Sequence, residues 1–111
     1  MKFIPKKIYN SFIVEIEKNE DERGFFARTY DVNEFKKYGL NSKIVQCNIN
    51  YTKKRGTVKG LHYQKTPFEE AKLIRCIRGS VYSVIVDLRP DSPTYKQSES
   101  IVLSENEYCW R

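Results

Sequence analysis

An antiparallel, mainly β domain folded as a sandwich or barrel is the fold class that this 111-residue sequence predicts. Three observations predict it. Short apolar segments rich in β-branched residues recur along the chain, turns bearing glycine and proline separate them, and a single stretch carries the boundary signals of a helix. No internal repeat, low-complexity tract or Gly/Ser linker divides the sequence, so one domain over residues 1–111 is expected.

The elements follow in chain order. Phe12 to Ile16 and Ile44 to Ile49 are short and β-branched, and each is expected to be a strand. Between them, Asp31 followed three residues later by Glu34 makes a capping-box pattern, and Gly39 suits a helix exit, which predicts a surface helix acting as a lid or connector. Lys72 to Ile77 is expected to run out as a strand, turn at Arg78-Gly79-Ser80 and return from Val81 to Leu88 as a hairpin. With side chains alternating along that outgoing strand, Lys72, Ile74 and Cys76 share one face, and Lys72 is expected to point into a cavity. Asp87 to Thr94 is rich in turn residues, and Ser98 to Leu103 resumes a strand.

Composition limits the function classes. Hydrophobic residues make up 40% of the chain and aromatics 14%, too much apolar surface for a disordered polyelectrolyte, so the chain is expected to fold. The net charge of +6 favours anionic ligands without choosing among nucleotides, nucleic acids and membrane surfaces. Cys47, Cys76 and Cys109 lie far apart and cannot all pair within one chain, which is the pattern of a reduced, cytoplasmic protein. The opening Met1-Lys2-Phe3-Ile4-Pro5-Lys6-Lys7 has no apolar run of a signal peptide, and no apolar stretch is long enough to cross a bilayer.

The chemistry-bearing residues lie in three stretches. Gly60-Leu61-His62-Tyr63-Gln64 holds the chain's one histidine and is followed by Lys72. A histidine near a lysine suits proton chemistry on a carbonyl compound: an imidazole removes a carbon-bound proton and an ammonium stabilises the enolate oxygen. Asp21-Glu22-Arg23-Gly24-Phe25-Phe26 supplies a guanidinium for phosphate or pyrophosphate and aromatic rings for a base, and Gln46 and Asn48 add two amides. Each has a plainer alternative: a structural histidine, a solvated arginine, two core phenylalanines.

Other classes have weaker support. Gly56, His62 and Gln64 echo the opening of metal-binding cupin motifs, but glutamine stands where a second histidine is required, leaving mostly carboxylates such as Glu69 and Glu70, so no metal is expected. Lys53-Lys54-Arg55 with Lys59 and Tyr51 resembles a phosphate-backbone patch, yet acidic residues interrupt the positive field and no nucleic-acid motif accompanies it. Nucleic acid is therefore not an expected partner. Lys6-Lys7 and Lys36-Lys37 are too short for a membrane patch. The cysteines lie in no nucleophile signature, and Cys76 reads as a core or cavity residue.

Taken in order, Asp21 to Phe26, Gln46-Cys47-Asn48, Lys59-Gly60-Leu61-His62-Tyr63-Gln64, Lys72 to Arg75, Arg78 to Val81, and Val86 to Arg89 through Ser92-Pro93-Thr94 resemble the N-terminal part of the dTDP-4-dehydrorhamnose 3,5-epimerase family. The resemblance spans nearly the whole chain. It implies a cupin-type antiparallel β-barrel, or jelly roll, with no metal or other cofactor, a nucleotide-sugar substrate and a homodimer with exchanged N-terminal strands. The activity it implies is inversion of C3 and C5 of dTDP-4-keto-6-deoxyglucose through an enolate, in the synthesis of dTDP-rhamnose-type sugars. In that family the residue matching His62 is the base and that matching Lys72 stabilises the enolate, while Arg23, Gln46, Asn48 and Lys59 match substrate-binding positions.

Two positions depart from the family pattern. Lys59 stands where an arginine is usual, and its point charge cannot make a planar bidentate grip. Arg28 stands where a glutamate is usual, reversing a charge at a ligand-facing position. A tyrosine donor and a base-orienting aspartate, which relatives carry in later barrel strands, have no counterpart here, and Tyr108 matches neither. The barrel is accordingly expected to lack its C-terminal strands. The alternative function is that of a catalytically inactive, truncated cupin serving as a nucleotide-sugar-binding or assembly module.

Overall fold

The computed structural model describes the backbone of residues 1–105, 109 and 110, and the side chains of residues 1–105. Tyr108 lies outside the described residues. The architecture is mainly β, with one short helix. Strands β1 (Lys2–Pro5) and β2 (Phe12–Glu15) form an antiparallel hairpin, extended by the two-residue β7 (Cys109–Trp110) on the free side of β2. β3 (Lys18–Asp21) pairs with β4 (Gly24–Ala27), and β5 (Ser80–Val86) pairs with β6 (Ser98–Ser104). The three sheets do not close into a barrel among the described residues.

The main core forms where helix α1 (Val32–Lys37) covers the β1–β2 hairpin. Phe3, Val14 and Phe35 are buried together, and Met1, Phe12, Tyr30 and Leu40 pack around them. Phe3 meets Phe35 edge-on at 5.3 Å between ring centroids and stacks on Tyr38 at 4.2 Å. Both Ile13 and Val14 are buried, so β2 is covered on both faces, unlike a half-solvated strand.

The helix lies at the predicted place, but Phe35 makes it a core element, correcting the expectation of a surface lid. Asp31 caps the N-terminus, its Oδ1 accepting from the backbone N–H groups of Asn33 at 2.9 Å and Glu34 at 3.1 Å. At the other end the Leu40 N–H reaches the Phe35 carbonyl and the Gly39 N–H reaches that of Lys36, with Gly39 at φ +67°. That is the Schellman arrangement, which requires a left-handed residue.

Two expected strands are absent. Ile44–Ile49 and Lys72–Ile77 run without a ladder partner among the described residues, so the hairpin returns not from Lys72–Ile77 to β5 but from β5 to β6. Gly79, at φ +76°, still turns the chain into β5; its N–H donates to Glu105 Oε2 at 2.9 Å and its carbonyl accepts from the Glu105 N–H. Leu103 is fully buried on the inner side of β6.

The loop joining β5 to β6 is organised by Asp87, the buried carboxylate that follows β5. Its oxygens accept from Arg89 Nε and Nη2, both at 2.8 Å, from Thr94 Oγ1 at 2.7 Å and from Ser92 Oγ. Arg89 Nη2 also donates to the Tyr9 carbonyl, and the Tyr9 N–H donates to Thr94 Oγ1, so the loop is fastened to the turn between β1 and β2. These charge-assisted donors hold the Asp87 carboxyl far below the usual carboxylate range, with the Arg89 hydrogen bonds contributing most.

Two stability predictions follow from this packing. Asp87→Asn removes the charge that Arg89 faces and is expected to cost about 3 kcal/mol at neutral pH. Because the folded carboxyl titrates below its unfolded value of about 3.9, Asp87 contributes fully above that pH and its contribution is lost as the pH falls further. In urea titrations the gap between the parent and Asp87→Asn should be widest above about pH 5 and shrink towards about pH 2; a constant gap would remove the charge from the account. Phe35→Ala should lower unfolding stability by about 3–4 kcal/mol, measured by denaturant midpoint, because the cavity opens under both Phe3 and Tyr30.

Candidate active site

The first candidate residue sits at a hairpin tip. β3 and β4 are joined by Glu22-Arg23, and Gly24 at φ +135° permits the tight return. Arg23 is highly exposed, and its Nη2 and Nε reach Asp21 Oδ2 at 2.6 and 3.2 Å. The pair lowers the Asp21 carboxyl and raises the Arg23 guanidinium, chiefly through their side-chain hydrogen bonds. A phosphate approaching Arg23 thus meets a guanidinium shared with a carboxylate. Phe25 and Phe26 are not core residues as the plainer reading has it: both are exposed, and Lys18 Nζ lies 4.8 Å from the Phe25 ring centroid.

The remaining candidates occupy the extended stretch between α1 and β5, and all of them are exposed. Gln46 and Asn48 form no hydrogen bond with other described residues. Lys59 Nζ donates to Asn50 Oδ1 at 2.7 Å. His62 folds back over the backbone of Gly60: a methyl group at that glycine would lie 3.2 Å from His62 Nδ1. Gly60 also has φ +91°, so both space and backbone conformation favour glycine beside the imidazole.

Lys72 differs from expectation in two respects. It is about half exposed rather than directed into an enclosed cavity, and its Nζ pairs with Glu70 Oε1 at 2.8 Å. No hydrogen bond joins His62 to Lys72. Glu69 meets the Thr66 hydroxyl, and its carboxyl is lowered chiefly by that hydrogen bond. Among the described residues no three histidine, cysteine, aspartate or glutamate side chains cluster as metal ligands would.

A recess of about 400 Å³ opens beside the hairpin, lined by Met1, Glu17, Asn19, Phe26, Arg28 and Glu34. Arg28 does not present an uncompensated cation there: its Nη1 lies 2.9 Å from Asp31 Oδ2 and 3.8 Å from Glu34 Oε1. Glu34, expected to reach back in a capping box, instead faces Arg28 and the Met1 ammonium, the latter at 3.2 Å. The Arg28 charge is therefore balanced by Asp31 and Glu34 at the start of helix α1.

Of the partners these groups find, Asp21 heads the first binding stretch and Glu70 is one of the carboxylates weighed for a metal, whereas Asn50 belongs to none of the candidate stretches. Two of them had a readable signal. In an extended chain, residues two apart point to the same side, which brings Glu70 onto Lys72, and a two-residue turn between Asp21 and Gly24 brings Asp21 onto Arg23. Asn50 and Lys59 are joined only by the path of the intervening loop.

The comparisons agree with one another. The sequence model of the dTDP-4-dehydrorhamnose 3,5-epimerase family matches residues 5–109. The epimerase of that name from Methanothermobacter thermautotrophicus is 38% identical over 104 residues, covering 94% of this chain and 55% of its own. The solved enzyme from Elizabethkingia anophelis superposes with a TM-score of 0.95 at 36% identity, covering 99% of this chain and 60% of that one. A second, from Bacillus anthracis with TDP and PPi bound, has a TM-score of 0.91 at 38% identity, over 98% of this chain and 62% of that one. The chain thus spans about half to three-fifths of the length of the relatives it matches. Their mainly β, cupin-type backbone is the one traced here, and with the sequence match over residues 5–109 it follows that the chain belongs to the dTDP-4-dehydrorhamnose 3,5-epimerase family.

Proposed function

We propose that this chain carries the base and much of the substrate clamp of a nucleotide-sugar 3,5-epimerase. The observation that carries the reading is the family match over residues 5–109, which contains His62, Lys72, Arg23, Gln46, Asn48 and Lys59. The substrate class is a dTDP-4-keto-6-deoxy sugar, and the bound TDP in the Bacillus anthracis relative supports the nucleotide part. A homodimer is the proposed assembly and the cytoplasm the proposed compartment; no helix among the described residues is long and apolar enough to cross a membrane.

The chemistry needs no change in oxidation state. A neutral His62 imidazole removes the proton on the carbon next to the C4 ketone, and the C–H electron pair moves into an enolate whose oxygen faces the Lys72 ammonium. Water returns a proton to the opposite face of that carbon and inverts it, His62 gives up its proton to solvent, and the same cycle at the other neighbour inverts the second centre. Arg23 takes the pyrophosphate, while Gln46 and Asn48 hydrogen-bond the ligand's polar groups. Lys59 contributes a point charge in place of a planar fork. The ion pair between Lys72 and Glu70 sets how much of the ammonium reaches the enolate.

Two measurements test these roles. With dTDP-4-keto-6-deoxyglucose in deuterated water, proton NMR should show exchange at C3 and C5, slowed by roughly 10²–10⁴ in His62→Ala; exchange unchanged by that substitution would take His62 out of the mechanism, and nucleotide binding without any exchange would favour an inactive binding module. Lys72→Met should slow the same exchange by about 10²–10³. Glu70→Gln, which releases Lys72 from its partner, should speed it or leave it unchanged, and a loss as large as that of Lys72→Met would show that Glu70 itself participates.

A further inference from the structure

The positive charge of the chain is concentrated in one segment. Between Glu34 and Glu69 the sequence has no acidic residue and eight lysines and arginines, more than the net charge of +6 carried by all 111 residues, so the rest of the chain is net negative. Gln46, Asn48, Lys59 and His62 all lie in that segment. A field of one sign draws anions towards it, but attraction at a distance does not choose the atom that holds them. That choice depends on which cation is already neutralised and which is held still.

The cations of the candidate site differ in their partners. Arg23 Nη2 lies 2.6 Å from a carboxylate oxygen of Asp21, and Lys72 Nζ lies 2.8 Å from one of Glu70. Lys59 is held as closely, at 2.7 Å, but by the amide oxygen of Asn50. A carboxylate orients a cation and offsets its charge, whereas an amide orients it and leaves the charge whole. Local geometry brings the two side chains together. Gly56 at φ +76° and the Thr57 hydroxyl, which donates to the Lys54 carbonyl at 2.8 Å, turn the chain between residue 50 and residue 59. With one of its three N–H donors on Asn50, the ammonium keeps two for a ligand, and a lysine already held in place has less side-chain freedom to lose on binding.

We propose that Asn50 is a positioning residue that makes Lys59 the charge anchor for the diphosphate of the nucleotide sugar. This rests on the reading of the chain as a nucleotide-sugar epimerase, and it deepens that reading by naming the residue that decides how much charge the clamp presents. A diphosphate meets the Lys59 charge undivided, while at Arg23 it must share the guanidinium with Asp21. Asn50 acts through Lys59 alone and touches no reacting atom. Its amide also supplies by contact the fixed direction that a lysine, unlike the planar fork of an arginine, does not have by itself.

The test is calorimetric titration of the chain with TDP and with ADP over a range of salt concentrations. Asn50→Asp puts Lys59 in the position of Arg23 and Lys72; it should weaken TDP binding about tenfold and flatten its dependence on salt. Asn50→Ala frees the ammonium without neutralising it, and should weaken binding only about two- to threefold while keeping the salt dependence of the parent. In a Lys59→Gln background neither substitution should cost more than about a further twofold, because the residue through which Asn50 acts is gone. The urea midpoints of all these variants should match that of the parent, which separates a lost anchor from a lost fold. Unchanged affinity in Asn50→Asp would overturn the proposal, and so would a tenfold loss that persists in the Lys59→Gln background, which is the mark of a general charge effect. ADP bound as tightly as TDP, with the same loss in Asn50→Asp, would refute the dTDP-sugar reading and leave the anchor standing. A parent chain that binds neither nucleotide would overturn both.

Discussion

A β-strand persists only where its backbone has a ladder neighbour and its apolar side has something to cover it. That single constraint sorts the described residues into two kinds. Where both demands are met, the chain is ordinary folded protein: β2 lies between β1 and β7 and under α1, and Leu103 on β6 is fully buried. Where neither is met, between α1 and β5, sequences equally rich in β-branched residues run extended and exposed. The difference lies in what stands beside each segment, not in its intrinsic propensity.

Polar interactions do the long-range fastening. Asp87 draws Arg89, Ser92 and Thr94 around one carboxylate, and through Arg89 and Thr94 the same cluster grips the carbonyl and N–H of Tyr9. Residues some eighty positions apart are thereby joined by directional hydrogen bonds rather than by apolar contact alone. With few large side chains fully buried, such a satisfied carboxylate has more weight than it would carry in a larger core.

The net charge of +6 does not say which cations are on offer to a ligand. Arg23 is held by Asp21, Lys72 by Glu70, and Arg28 by Asp31 with Glu34 nearby. Exposed pairs of this kind contribute little to stability, but each fixes the orientation of a charged group and must be shared or broken when an anion arrives. His62 has a different constraint, its ring lying against the backbone of Gly60, where a side chain would crowd it.

The sequence by itself determined the mainly β class, the helix with its Asp31 cap and Gly39 exit, the turn at Gly79 and the loop after Val86, because each depends on residues close together in the chain. Ordered motifs from Asp21 to Thr94 were also enough to mark the family. Tertiary structure alone decided that the helix is a core element, since Phe35 needed Phe3 and Val14 to bury it. It also decided that β5 returns to β6 and that Ile44–Ile49 and Lys72–Ile77 form no ladder. Period-two alternation specifies which faces a strand would present; whether a strand forms depends on a neighbour that the segment itself does not encode.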